Sequence, residues 1–111
     1  MLRPIVRSLS KSSDNATTDD LFIDHWPSET NICWTRIVAI NDTHQGTRTE
    51  IALLRGSEFY PLKVAQPGAA TYSVETDTPI YAPGDFRVGA RFWGATAADK
   101  LKVYAFGYVI E

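Results

Sequence analysis

From Leu21 onward, apolar and polar positions alternate with a period of two, which is the pattern of strands rather than helices. The stretch 31–41, NICWTRIVAIN, sets Ile32, Trp34, Arg36, Val38 and Ile40 against Cys33, Thr35, Ile37 and Ala39. Both sets are largely apolar, which predicts a central strand covered on both faces. In 48–55, Ile51 and Leu53 oppose Glu50, Ala52 and Leu54, and Gly56 ends the run. In 86–93, Phe86, Val88, Ala90 and Phe92 oppose Arg87, Gly89, Arg91 and Trp93. Shorter runs at 21–26, 58–65 and 71–82 meet Pro27, Pro61 and Pro79, and a proline inside a run points to an edge strand or a bulge. The stretches DTHQG, QPGAA and PGD supply the turns between runs.

The last stretch, 100–110, departs from the half-buried pattern. Leu101, Val103, Ala105, Gly107 and Val109 alternate with Lys102, Tyr104, Phe106, Tyr108 and Ile110, and only Lys102 is charged. A sheet in a two-layer sandwich has one inner face, so the second apolar set needs another cover. Tyr104, Phe106, Tyr108 and Ile110 are therefore expected to face a neighbouring subunit, since together they offer several hundred Å2, near the largest apolar patch a monomer exposes. About seven short strands with turn signals every 8–12 residues or so predict an all-β chain, a small antiparallel β-sandwich of jelly-roll or Greek-key type. The pattern does not specify strand order.

Residues 1–20 are polar and lack a sustained apolar period, so they are expected to form a flexible, extended N-terminal arm, with the sandwich domain spanning 21–111. MLRPIVRSLSKSS is basic and acid-free in the manner of a transit peptide, but acids follow at once in SSDNATTDD and no amphipathic helix of useful length fits. Such an arm is expected to become ordered across a neighbour, where Arg3, Arg7 and Lys11 would meet acidic groups. No stretch reaches the length of a membrane-spanning helix, so no membrane partner is expected.

Charge and chemistry narrow the function classes. The 111 residues carry a formal net charge of -2, and the arginines are scattered among acids rather than gathered in the basic stripe that nucleic acid requires. Cys33 is the single cysteine, which rules out an internal disulfide, and its apolar run predicts a buried thiol. His25 and His44 lack metal-ligand spacing, so no metal or cofactor is expected. Ser57 and Ser73 have no triad partners in pattern. Glu75 and Asp77 share a strand face and could in principle do acid–base work, but a solvated strand face beside a loop is the reading preferred, since acids there are unremarkable. A non-enzymatic chain with no catalytic residues is the expectation. The sequons at Asn15 and Asn41 are read as chance occurrences. Among the aromatics, Trp34 and Phe92 belong to the core by pattern, whereas Trp26 and Trp93 are open either to packing or to display as a sugar-stacking platform.

The C-terminal stretch APGDFRVGARFWGATAADKLKVYAFGYVIE resembles the closing hairpin of small β-sandwich accessory proteins of tailed bacteriophage virions. The resemblance is carried by Pro83-Gly84-Asp85, by Gly89-Ala90-Arg91-Phe92, and by Asp99, Leu101 and Val103 followed by Phe106-Gly107. It implies a structural virion component assembled in the host cytoplasm, foremost a capsid decoration (cement) protein, with head–tail, tail or baseplate roles as near alternatives. It also implies a homo-oligomer, a trimer being favoured, bound to other virion proteins, with no cofactor and no transferable site residues. A carbohydrate-binding sandwich module is the alternative from another class.

Overall fold

A computed structural model describes residues 2–14, 17–44, 47–65, 73–76 and 78–110. Nine strands run through them: β1 (Leu2–Ser12), β2 (Thr18–Phe22), β3 (Asn31–Asn41), β4 (Arg48–Arg55), β5 (Glu58–Ala65), β6 (Ser73–Glu75), β7 (Ile80–Pro83), β8 (Arg87–Trp93) and β9 (Lys100–Ile110). One sheet has the order β1-β9-β3-β6, with β7 also on β3; the other has the order β2-β8-β4-β5. Every pairing is antiparallel. Because β6 and β7 take successive halves of the same edge of β3, the two sheets are in effect four strands each. Consecutive strands alternate between sheets except at the β4–β5 hairpin and at the β6–β7 break. That is jelly-roll connectivity, the more specific of the two expected sandwich topologies.

The inner faces follow the alternation. Val88, Ala90 and Phe92 of β8, Ile51 of β4, and Leu101, Val103, Ala105 and Val109 of β9 are buried between the sheets. In β3 the alternation is interrupted: the register with β9 shifts between Trp34 and Arg36. The extra residue switches which parity points inward. Ile32 and Trp34 face the core before the bulge, and Ile37 and Ala39 face it afterwards. The strict two-set division expected for 31–41 is thereby corrected, and the Thr35 hydroxyl donates to the Phe106 carbonyl at 3.0 Å across the irregularity.

Three further expectations are corrected. The flexible arm over 1–20 is instead β1, paired residue for residue with β9 from Leu2↔Ile110 to Ser12↔Lys100, followed by the start of β2. Ile5 supplies the physical reason: it is buried against the core while its ladder partner, β9, would otherwise lack a neighbour on that side. The strand expected at 21–26 is displaced to Thr18–Phe22. The closing hairpin does not form either. β8 lies between β2 and β4, whereas β9 lies in the opposite sheet between β1 and β3. Each is apolar enough to be a central strand, and a central strand needs two neighbours, so the 94–99 connection crosses between sheets. Gly94 and Ala98 turn that connection, both with φ near +70°. The turn 66–70, the start of the expected 71–82 run, Asn15 and Asp77 lie outside the described residues.

Candidate interaction surface

The outer face of the β1-β9-β3-β7 region is built from rows of residues set opposite one another by the ladders. One row is Leu2, Ile110, Asn31 and Pro83; the next is Pro4, Tyr108, Cys33 and Tyr81; a third sets Val6 beside Phe106 and Arg36. Tyr104, Phe106 and Tyr108 stand half-buried in the middle, flanked by the neighbouring strands, and Ile110 is exposed. The most open apolar groups are ones that the sequence pattern did not single out: Leu2 at 58%, Val6 at 59% and Tyr81 at 67%. For Leu2 and Val6 a signal existed in the period-two alternation of Ile5 and Leu9 against them within 1–12, but the polar composition of that stretch masked it.

Beneath this face Cys33 is fully buried, as its run predicts. The Tyr108 phenol is pushed well above its ordinary 10.0, first by its hydrogen bond with Cys33, then by that with Tyr81, and by burial. At one side of the face Arg36 Nε and Nη2 donate to Glu75 Oε2 at 2.9 and 2.6 Å, so the acid considered for acid–base work is held in an ion pair. Lys102 Nζ donates to Asp42 at 3.0 Å.

The basic residues of β1 point differently from an arm reaching outward. Arg7 lies with its guanidinium carbon 4.9 Å from the centroid of Trp26, and its Nη1 donates to the Val6 carbonyl at 3.0 Å. Lys11 Nζ sits 3.3 Å from Asp19 Oδ1, whose other oxygen accepts from Ser13 Oγ at 2.9 Å. Arg3 is exposed on β1 opposite Val109. Arg7 and Lys11 thus each have a contact within their own chain, and Arg7 stays exposed.

Neither open tryptophan offers a bare platform. Trp26 packs edge-on against buried Trp34 at 5.7 Å, with Arg7 over its ring. Trp93 has the guanidinium carbons of Arg48 and Arg91 at 5.3 and 5.9 Å from its centroid, and Arg91 forks onto Asp20 at 2.7 and 3.0 Å. Guanidinium groups thus already stack where a pyranose would stack.

A second cluster, which spacing alone did not reveal, closes one end of the sandwich. Asp99 is buried and accepts from Asn41 Nδ2 at 2.8 Å and from the Thr96 amide at 3.0 Å. His44 Nδ1 lies 2.6 Å from its other oxygen. Asn41, itself buried, also reaches Thr47 Oγ1 at 2.9 Å, and its carbonyl oxygen accepts the Thr43 and His44 amides. Burial works to raise the Asp99 pKa, but the bonds from Asn41, His44 and Thr96 outweigh it and hold the carboxyl below its ordinary 3.8. The cluster ties the β3–β4 connection to the β8–β9 connection. Its polar groups are spent on one another, which leaves Asn41 sequestered rather than displayed for glycosylation. Among the described residues no group of three or more His, Cys, Asp or Glu is placed to hold a metal, and no helix is long and apolar enough to cross a membrane.

A jelly-roll sandwich with an apolar outer face and an internally satisfied polar end is thus what the geometry defines. No protein-family model and no curated protein matches the chain. Among solved structures it is similar in fold to the NLP core of Drosophila, a structure concerned with pentamer formation and histone binding, at TM-score 0.48 and 12% identity over 98% of each chain. It is also similar to a Bacillus endospore appendage protein of a family of disulfide-linked pili, at TM-score 0.41 and 13% identity, covering 100% of this chain and 92% of that one. A third similarity is to infectious bursal disease virus, Gx strain, at TM-score 0.40 and 13% identity, covering 96% of this chain and 31% of that one. These likenesses concern the sandwich fold alone.

Proposed function

We propose that the chain is a non-enzymatic structural subunit that associates with further copies of itself through the outer face of the β1-β9-β3-β7 sheet. The observation that carries this reading is the gathering of Leu2, Val6, Tyr81 and Ile110, all exposed, around half-buried Tyr104, Phe106 and Tyr108. Isolated exposed apolar residues are ordinary, but a contiguous group of this kind on one sheet face is the composition of an interface core, rich in tyrosine and aliphatic anchors. Sealing a few hundred Å2 at about 25 cal/mol per Å2 supplies several kcal/mol against the cost of association. The setting we propose is a phage particle, with the subunit as a capsid decoration protein; what supports it is the likeness of the C-terminal motifs in sequence, without the two adjacent strands that those motifs were expected to frame. Other virion proteins would then be further partners. The deciding measurement is the solution mass by light scattering behind a sizing column across a concentration range. A mass that is a multiple of the 12.4 kDa chain is expected, and a monomer at every concentration overturns self-association.

A further inference from the structure

Each sheet of the sandwich has two edges, and a bare edge offers unpaired backbone groups to another strand. Most of these edges are blunted. On β5, Pro61 removes a donor and the register with β4 slips between Ile51 and Ala52. On β2, only 5 residues long, Asp20 is exposed and Arg87 Nη2 donates to the Phe22 carbonyl at 2.9 Å. Along the far side of β3, β6 and β7 are only 3 and 4 residues long. β1 differs: it has 11 residues and is paired on one side only, with β9. The Ser13 amide donates to the Asp99 carbonyl at 2.8 Å and extends that ladder by one step, which assigns its hydrogen bonds to the odd-numbered residues. The even-numbered residues therefore turn N–H and C=O toward the free edge. Its first half is blunted as well, since Pro4 has no N–H and the Val6 carbonyl accepts from Arg7 Nη1. In its second half Ser8, Ser10 and Ser12 keep both groups open, and nothing among the described residues bonds to them there. Their side chains are short, with an open cleft of about 440 Å3 beside Ser10 and Ser12, and Lys11 is drawn to Asp19 rather than over the edge.

We infer that this edge pairs with its own copy: two chains run antiparallel along Ser8–Ser12 about a two-fold axis through Ser10, and their β1-β9-β3-β6 sheets continue into one. The inference rests on the self-association proposed above and adds an edge contact to it. The edge is its own complement. Each serine has one open donor and one open acceptor, the row carries no charge for an oppositely charged partner to answer, and Lys102 behind it is matched by Asp42 at 3.0 Å. The register follows from the residues of β1. With the axis at Ser10, Ser8 lies opposite Ser12 of the second copy and Ser10 opposite itself, and each pair exchanges both backbone bonds; on the inner side Leu9 lies opposite Lys11. An axis at Leu9 would set Arg7 against Lys11, and one at Lys11 would set the two lysines against each other, like charges directly across a ladder. An axis at Ser8 brings in Pro4 and the occupied Val6 carbonyl, and one at Ser12 runs past the end of the strand. An axis of this kind stands perpendicular to the sheet, so both outer faces point the same way and stay open for the contact proposed above.

Single cysteines at the serines read the register, because residues that exchange both backbone bonds lie about 5.5 Å apart at Cα, within disulfide reach. The native Cys33 is fully buried and stays out of the reaction. Under mild oxidant, Ser10→Cys is expected to form a covalent dimer by itself, whereas Ser8→Cys and Ser12→Cys form one only when the two are mixed. Ser10→Pro removes an edge donor that β9 does not use, so it should keep the wild-type melting curve and show a solution mass below that of wild type. If Ser10→Pro does not fold, the cysteine series decides alone. The inference is overturned if Ser10→Cys gives no dimer beyond the wild-type background, or if Ser8→Cys alone dimerises in equal yield. A folded Ser10→Pro chain of wild-type mass overturns it too. In each of those cases a wild-type mass above 12.4 kDa leaves self-association through the outer face standing. A wild-type chain that is monomeric at every concentration removes the proposed function and this inference together.

Discussion

Asp99 shows how one buried side chain sets a pH response. Its carboxylate is nine-tenths or more enclosed and is satisfied by Asn41, His44 and the Thr96 amide, with a folded-state pKa below the ordinary 3.8. A group whose pKa is lower in the folded state contributes stability that is present in full above its unfolded value, and that is lost as pH falls through the folded value. Thermal melting should therefore hold steady above about pH 5 as far as Asp99 is concerned and decline below 3.8. Asp99→Asn should lower stability at pH 7 by about 1–3 kcal/mol, because donors that served a carboxylate then face an amide. Its acid decline should also be shallower than that of wild type; a parallel decline would remove Asp99 as the cause. At Gly107 the constraint is steric. A β-carbon there would strike the Cys33 carbonyl on the adjacent strand β3. Gly107→Ala should cost about 1–3 kcal/mol in urea unfolding, with an unchanged denaturant slope.

Among the elements, β1 separates the legible from the illegible. LRPIVRSLSKS offers only Ile5 and Leu9 to the core side, so its composition is that of a tail. It becomes a strand because β9 has a vacant edge eleven residues long, and pairing there satisfies backbone groups that composition does not report. Removing residues 2–12 should therefore not leave a folded domain that merely associates less. It should expose the β9 edge and strip Ile5 from the core, giving a broadened or absent melting transition and aggregation. A truncated chain that melts like the full one would restore the arm. Bulges are similarly opaque to pattern reading. The split of β3 into an even-inward half and an odd-inward half depends on one unpaired residue near Thr35, and an alternation that is apolar in both sets gives no warning of such a switch.

For the molecule as a whole, the proposed interaction face was legible only in part. Tyr104, Phe106, Tyr108 and Ile110 stood out because a strand apolar on both sides demands two covers. Their strongest companions did not: Leu2 and Val6 came from the supposed arm, and Tyr81 came from a short edge strand. At this scale the expected outcome is a solution mass above that of one chain. Trp26 and Trp93 illustrate another case: the sequence left them open between packing and display, and the guanidinium groups over their rings come from β1 for Trp26 and from β4 and from Trp93's own strand β8 for Trp93.

Period-two alternation, turn residues and the near absence of paired catalytic groups were enough to establish an antiparallel sandwich with strands at 31–41, 48–55, 58–65 and 100–110 and a core around Trp34 and Phe92. These are local properties, set by which residues bury well on a pleated surface. The tertiary structure decided that 86–93 and 100–110 lie in opposite sheets, that the first twelve residues complete the fold, and that Asn41, His44 and Asp99 meet. Each of those outcomes depends on the partner available to a backbone edge or a buried polar group. That partner lies tens of residues away along the chain, where no local pattern records it.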